Sequence, residues 1–161
     1  MLLTLMRHAQ IADIWQLIDV VRYMMLLFIL LRETVRDIRD REIDIGMPIA
    51  YGITVLLLNL IPGHGDIIGC IGGALFGGTV LLAALFKKES IGAGDGIMFI
   101  VTGAALGIHL NLVLMLRAII FAGIGAVILI LIRRRRNVTA ETMPLMPYIL
   151  LSYISICVSY V

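Results

Sequence analysis

The sequence predicts an all-α membrane protein, built as a bundle of about six transmembrane helices. The first observation is composition: 61% of the 161 residues are hydrophobic and 15% are charged, whereas soluble domains have about 45–50% apolar and about 25% charged residues. The second observation is length, since about 20 residues per span and about 5 per loop fill this chain with six spans. The composition excludes a soluble globule and a disordered chain.

The third observation is that charged residues lie between apolar runs. The only charged residue in the stretch 45–86 is Asp66, and in the stretch 96–132 it is Arg117. The net charge of +2 is too small to indicate nucleic acid, so we expect a lipid bilayer and no nucleic acid as partner. The two cysteines have no metal-like or paired spacing, which predicts neither a zinc site nor a disulfide framework. We expect no metal and no cofactor.

Each apolar run gives one predicted span. The first begins with polar residues, so we expect it to start as an interfacial helix. The third is rich in glycine, which permits close helix packing. The fourth rises only about 20 Å against a hydrocarbon core of about 30 Å, so one of its ends should lie below the membrane surface. The six spans are placed at about 14–34, 46–62, 67–86, 96–108, 110–132 and 145–161.

Basic residues set the orientation, because Lys and Arg accumulate on the cytoplasmic side of membrane proteins. Ten of the 13 basic residues follow spans one, three and five, in the stretches 32–41, 87–88 and 133–136. We therefore expect these three connections on the cytoplasmic face. The chain is predicted to be a single multi-pass domain, 1–161, in the inner (plasma) membrane, with no room for an extramembrane domain.

Asp95 is the first candidate for chemistry, because an ionisable group at membrane depth is costly and is by default a functional hypothesis. It opens span four directly after Gly92 and Gly94, and glycine permits turns and close backbone approach that other residues do not. A carboxylate beside accessible backbone suits a protease that binds an extended peptide. The alternative is that Asp95 is only the N-cap of this helix.

Asp37 is the second candidate, within the mixed-charge stretch 36–44 that follows span one. If this stretch is helical, Asp37 can pair with Arg41 one turn later. The alternative is a solvated interfacial segment. Two carboxylates from separate helices are what an aspartic protease needs, because in a low dielectric one keeps a proton while the other activates water. Both aspartates lie at predicted cytoplasmic span ends.

Three stretches of the chain, 37–43, 91–95 and 143–150, carry motifs. These motifs resemble those of the type IV prepilin peptidase family, membrane aspartic proteases that remove leaders from prepilins and pseudopilins. Ile91-Gly92-Ala93-Gly94-Asp95 is similar to the GxGD signature, and Asp37-Ile38-Arg39-Asp40-Arg41-Glu42-Ile43 is similar to the motif of the first aspartate. Met143-Pro144-Leu145-Met146-Pro147-Tyr148-Ile149-Leu150 resembles the proline-bearing start of the last span. The motifs occur in family order, from about residue 24 onward.

The resemblance implies an aspartic endopeptidase that cuts prepilin-like proteins with a basic leader at the cytoplasmic membrane boundary. Asp37 and Asp95 would be the catalytic pair. Asp44-Ile45 replaces the usual Pro-Asn, and Ile97 replaces a frequent Lys, which bears on substrate contacts. The methylation-associated cytoplasmic domain of larger relatives is absent, so the resemblance implies a minimal peptidase. The supporting motif residues would be Gly92, Gly94, Arg41, Pro144 and Pro147.

Two other functions are compatible with the residues. A small transporter, channel or assembly subunit would use these aspartates for ion relay or packing, but we see no inverted repeat with paired broken helices. An inactive member of the peptidase fold would keep the architecture without cleavage.

Overall fold

The computed structural model describes residues 2–40, 44–61, 66–86, 92–134 and 144–159, and side chains from residue 14 onward except at 84 and 132–134. Within these ranges the chain is helical and contains no β-strand, which confirms the all-α prediction. The five helices are α1 (Leu2–Arg39), α2 (Gly46–Asn59), α3 (Ile67–Phe86), α4 (Ala93–Arg134) and α5 (Met146–Ser159).

Helix α1 is longer than the span predicted at about 14–34. It runs without interruption for 38 residues, a rise of about 57 Å. The polar beginning, which we expected to be interfacial, is continuous with the apolar part. The helix ends at Arg39, followed by a turn at Asp40.

Helix α4 consists of two helical segments joined at Gly107, whose backbone has φ 76° and ψ 175°. The Asn111 Nδ2 donates a hydrogen bond to the carbonyl oxygen of Phe99 at 3.1 Å, although twelve residues of straight helix rise about 18 Å. The chain must therefore fold back at Gly107, where the positive φ favours glycine. The reversal at Gly107 falls one residue before the predicted end of span four (96–108) and ahead of span five (110–132).

In the part of the chain that the structure describes, two helices are long and apolar enough to cross a membrane: Ile14–Arg39 and the stretch Ala93–Leu131 that contains the reversal. In their most apolar windows only 22% and 11% of residues are buried inside the protein. The core helix of a soluble protein would be mostly buried, so apolar surface of this extent favours contact with lipid. The remaining helices are shorter and apolar.

Helices α3 and α4 pack closely because glycines remove side chains from their contact. A Cβ atom added at Gly77 would collide with the backbone of Phe99, and one added at Gly73 would collide with the carbonyl of Gly103. Small residues that let backbones approach are typical of helix pairs in membranes. The predicted packing role of the glycines in span three is confirmed at these two positions.

Helix α5 lies between α1 and the second segment of α4. The Tyr153 hydroxyl donates to the carbonyl of Tyr23 at 2.9 Å, and the Ser152 hydroxyl donates to the carbonyl of Leu114 at 2.7 Å. Arg117 donates to the hydroxyl of Ser155 at 2.8 Å. These contacts bring the start of α5 beside the end of α1, where both predicted aspartates are found.

Candidate active site

Asp37 lies in the last turn of α1 and is nearly buried, with 9% of its surface exposed. Its Oδ2 accepts a hydrogen bond from the backbone N–H of Met146 at 3.0 Å. Met146 is the first residue of α5, so its N–H has no acceptor within its own helix. The carboxylate of Asp37 thus meets the N-terminus of the last helix, where the helix dipole favours negative charge.

The two predicted prolines flank this donor. Pro147 follows Met146 inside the first turn of α5, and Pro144 lies two residues before it. Proline is tolerated at a helix start and has no N–H of its own. The Met146 N–H is therefore one of few backbone donors at this helix end, and it points to Asp37.

Asp95 is the third residue of α4 and is partly buried. Its carboxylate accepts a hydrogen bond from the backbone of Gly92, directly before the helix. This is the capping arrangement in which an acidic side chain at the third helical position reaches back to the residue before the helix. The alternative prediction of an N-cap was wrong in position, since Gly92 occupies that place, but Asp95 does help to cap the helix.

Gly92 and Gly94 adjoin this carboxylate. A Cβ atom added at Gly92 would lie 3.2 Å from the Asp95 Oδ2, so any larger residue there would crowd the acid. Gly94 lies in the first turn of α4 and is half-buried. Gly92 therefore preserves free space beside the acid.

Asp37 and Asp95 are brought together by the fold. They lie on different helices, 58 positions apart in the sequence, and their charges interact electrostatically. Pro144 and Pro147 lie near Asp37 in the chain, because Met146, which contacts Asp37, stands between them. Arg41, the predicted partner of Asp37, lies outside the described residues.

A network beside the pair was not predicted from the sequence. Glu33 lies one turn before Asp37 on α1 and has no exposed surface. Its Oε1 accepts a hydrogen bond from Arg32, and its Oε2 accepts one from the backbone N–H of Asp44 at 2.9 Å. The spacing of four residues between Glu33 and Asp37 was the available signal, since it places both acids on one helix face.

Asp44 completes this network at the start of α2. Its Oδ2 accepts hydrogen bonds from Arg32 at 2.8 Å and from Arg36 at 3.0 Å. The hydrogen bond from Arg32 holds the pKa of the Asp44 carboxyl below its usual range. The departure from the family pattern at Asp44 therefore places an ion pair between α1 and α2. Asp44 lies beyond the end of α1, so the stretch 36–44 is not one continuous helix.

Other candidates for ligand or metal binding are few. Among the described residues, no group of three or more His, Cys, Asp or Glu side chains could hold a metal ion. The arrangement at Asp37 and Asp95 is instead a carboxylate pair between three helix ends, suited to polarising a carbonyl and activating water.

Comparison with protein-family models, with curated proteins and with solved structures finds no match for this chain. The resemblance to prepilin peptidases therefore rests on the three sequence motifs.

Proposed function

We propose that the protein is an intramembrane aspartic endopeptidase that removes the basic leader from type IV prepilin-like precursors. The observation that supports it best is the interaction between the carboxylates of Asp37 and Asp95, contributed by separate helices. Each acid contacts the start of a helix, Asp37 at α5 and Asp95 at α4. Capping alone does not require the two carboxylates to lie near enough for their charges to interact.

The proposed setting is a six-span bundle in the inner (plasma) membrane. The ends of α1 and the starts of α2, α4 and α5 lie at one end of this bundle. That end carries Arg32, Arg36 and Arg39, and the positive-inside rule assigns it to the cytoplasm. The active site then faces the cytoplasm at the membrane boundary.

The proposed reaction is hydrolysis of one peptide bond by water. Like charges at short range favour a state in which one carboxyl group keeps its proton. The ionised carboxylate takes a proton from water while the water oxygen attacks the carbonyl carbon, and the protonated acid donates a hydrogen bond to the carbonyl oxygen. The C–N bond then breaks, and the leaving amine takes a proton from the acid pair. The Met146 N–H orients Asp37 throughout.

The proposed substrate follows from the resemblance. It has a short basic leader, a glycine before the cut and a hydrophobic helix after it. The membrane would hold this helix, so that the leader junction lies at the depth of Asp37 and Asp95, and this positioning supplies part of the catalysis.

The test is co-expression with a cognate prepilin, followed by measurement of leader removal. Asp37→Asn and Asp95→Asn should each lower the cleavage rate at least about 1,000-fold, as removal of an essential group does in other proteases. Asp40→Asn is the matched control, because Asp40 lies three residues from Asp37 and its side chain is 52% exposed. It should cleave like the wild type.

Normal leader removal by both Asn variants would contradict the mechanism. A folded wild-type protein that leaves every offered prepilin uncut would instead favour a transporter, an assembly subunit or an inactive member of the fold. Thermal unfolding in detergent establishes that each variant is folded.

A further inference from the structure

A cavity of about 230 Å³ opens at the end of the bundle opposite the aspartate pair. It lies between the middle of α1, the end of α2, the start of α3 and the reversal at Gly107. The proposed peptidase chemistry makes no use of it. Its polar lining residues are Arg22, Tyr23, Asn59, Asp66, Cys70 and His109; below, it is called the Arg22 cavity.

Arg22 has buried hydrogen-bond donors that lack acceptors. Only 9% of its surface is exposed, and its backbone is held by the Tyr51 hydroxyl, which donates to the Arg22 carbonyl at 2.8 Å. The Nη2 atom lies 3.2 Å from Asp19 and 3.1 Å from the Tyr23 hydroxyl. The Nε and Nη1 atoms have no hydrogen-bond partner among the described residues. Buried donors on a charged group are costly when unpaired, so this site favours an added acceptor.

Asn59, in the same cavity, has a buried hydrogen-bond acceptor that lacks a donor among the described residues. It is 4% exposed, and its Nδ2 donates to the carbonyl of Val55 at 2.8 Å. Its Oδ1 is buried without a partner in the part of the chain that the structure describes. Asp66 adds a carboxylate at the exposed start of α3, where one oxygen accepts the Gly69 N–H at 2.9 Å. Arg22 and Asn59 thus line one cavity, the first with buried donors and the second with a buried acceptor that lack partners among the described residues, and Asp66 adds a carboxylate to the same lining.

We propose that the Arg22 cavity binds an aminoethyl phosphate group, the headgroup chemistry of phosphatidylethanolamine. The phosphate oxygens accept from Arg22, and the ammonium donates to Asn59 and Asp66. A purely anionic ligand fits less well, because Asp19 already lies beside Arg22 and a second carboxylate, Asp66, lines the cavity. A choline headgroup has no N–H to donate to Asn59.

The test measures lipid binding by native mass spectrometry of the delipidated protein in detergent. Phosphatidylethanolamine, phosphatidylcholine and phosphatidylglycerol with identical acyl chains are titrated in turn. We expect phosphatidylethanolamine to bind about 10-fold more tightly than either of the other lipids, the difference that one or two charge-assisted hydrogen bonds supply. Soluble phosphoethanolamine is then added as competitor. If phosphoethanolamine displaces the bound lipid, the headgroup alone is sufficient for binding. If the lipid stays bound and phosphatidylethanolamine is still preferred, the intact lipid is the ligand. Both results support the proposal.

Three variants locate the binding. Arg22→Gln should weaken phosphatidylethanolamine binding about 10-fold, and Asn59→Leu should remove the preference over phosphatidylcholine. Arg117→Gln is the matched control, an arginine within an apolar helix that is held by Ser155 outside the cavity. Arg117→Gln should change neither the affinity for phosphatidylethanolamine nor the preference over phosphatidylcholine. Should Arg22→Gln fail to fold, Asn59→Leu carries the test alone.

Equal binding of the three lipids by the wild type would overturn the proposal. So would unchanged selectivity in Asn59→Leu, or an equal loss in Arg117→Gln and Arg22→Gln. None of these results depends on cleavage of a prepilin.

Discussion

The two ends of the helix bundle hold buried charge in different ways. At the aspartate end, Glu33 and Asp37 each accept a backbone N–H, from Asp44 and Met146 respectively. At the Arg22 cavity, the guanidinium keeps two nitrogen atoms without partners among the described residues. The acids at the first end have hydrogen-bond partners within the chain, whereas the guanidinium at the second end is only partly paired, through Asp19 and Tyr23. The proposed catalysis concerns the first end and the proposed lipid binding the second.

The largest loss of stability is expected at the contact of α3 and α4, which lies between the two ends of the bundle. Gly77→Leu places a side chain against the backbone of Phe99, which should lower the free energy of unfolding by about 3 kcal/mol or more. Both cleavage and lipid selectivity should be lost together. Gly78→Leu is the control, because nothing lies within 4 Å of a Cβ atom there. Thermal unfolding in detergent measures both, and equal unfolding temperatures would contradict the packing described.

The next largest effect on stability is expected from the two buried charged groups. Glu33 has hydrogen-bond partners within the chain, whereas Arg22 is only partly paired in the part that the structure describes. Glu33→Met leaves the Asp44 N–H and part of Arg32 without an acceptor and should cost about 2 kcal/mol. Arg22→Met removes a buried cation with unpaired atoms but also the partner of Asp19, whose side chain is 40% exposed, so in lipid-free detergent it should cost less stability than Glu33→Met. Chemical unfolding of the two variants beside the wild type gives the comparison. A larger loss in Arg22→Met than in Glu33→Met would reverse our assignment of the two ends.

A smaller effect, on the rate of leader cleavage, is expected when the Met146 N–H that donates to Asp37 is removed. Met146→Pro removes the N–H while leaving both aspartates in place, and proline is accepted at the start of a helix. Leader cleavage should slow about 10-fold, the value of one charge-assisted hydrogen bond. Met146→Leu keeps the N–H and a similar volume, so its rate should match the wild type. A Met146→Pro variant that is folded and fully active would show that this bond does not position Asp37.

The smallest effect concerns pH. Because hydrogen bonding from Arg32 lowers the pKa of Asp44 in the folded protein, this carboxyl contributes stability above its unfolded pKa of about 3.9, and the contribution is lost as pH falls through the lower folded value. The stability difference between wild type and Asp44→Asn should therefore be constant near neutral pH and shrink below about pH 4. Unfolding measured from pH 7 to pH 3 tests this, and a difference that grows on acidification would have the wrong sign.

Much of the helical architecture was readable from the sequence, because lipid-facing apolar runs and the charges between them mark helix ends directly. The segment ends near Asn59, Ile67 and Phe86 follow the predicted spans closely. The start of α1 was not predicted, since polar residues such as Asp13 and Gln16 weaken the apolar pattern without ending the helix. Propensity alone does not place a helix end where no glycine or proline interrupts the chain.

Only part of the candidate sites could be predicted from the sequence. Residue type and position selected Asp37 and Asp95, but no sequence pattern states that two helices bring them into electrostatic contact. The donor at Met146 is a backbone group and leaves no residue-type signal. Arg22 stands among polar residues near the start of the first apolar run, and nothing in that pattern predicts its burial. The residues that line the cavity with it, such as Asn59 and His109, are distant in sequence.

The bond between Met146 and Asp37 joins residues 109 positions apart. Both aspartates are synthesised well before α5, and domains generally acquire their structure as the chain emerges. A growing chain that already holds Asp37 and Asp95 therefore lacks the group that fixes one of them until α5 inserts beside α1. The proposed protease would thus remain poorly organised during its own synthesis and become fully active only when membrane insertion is finished.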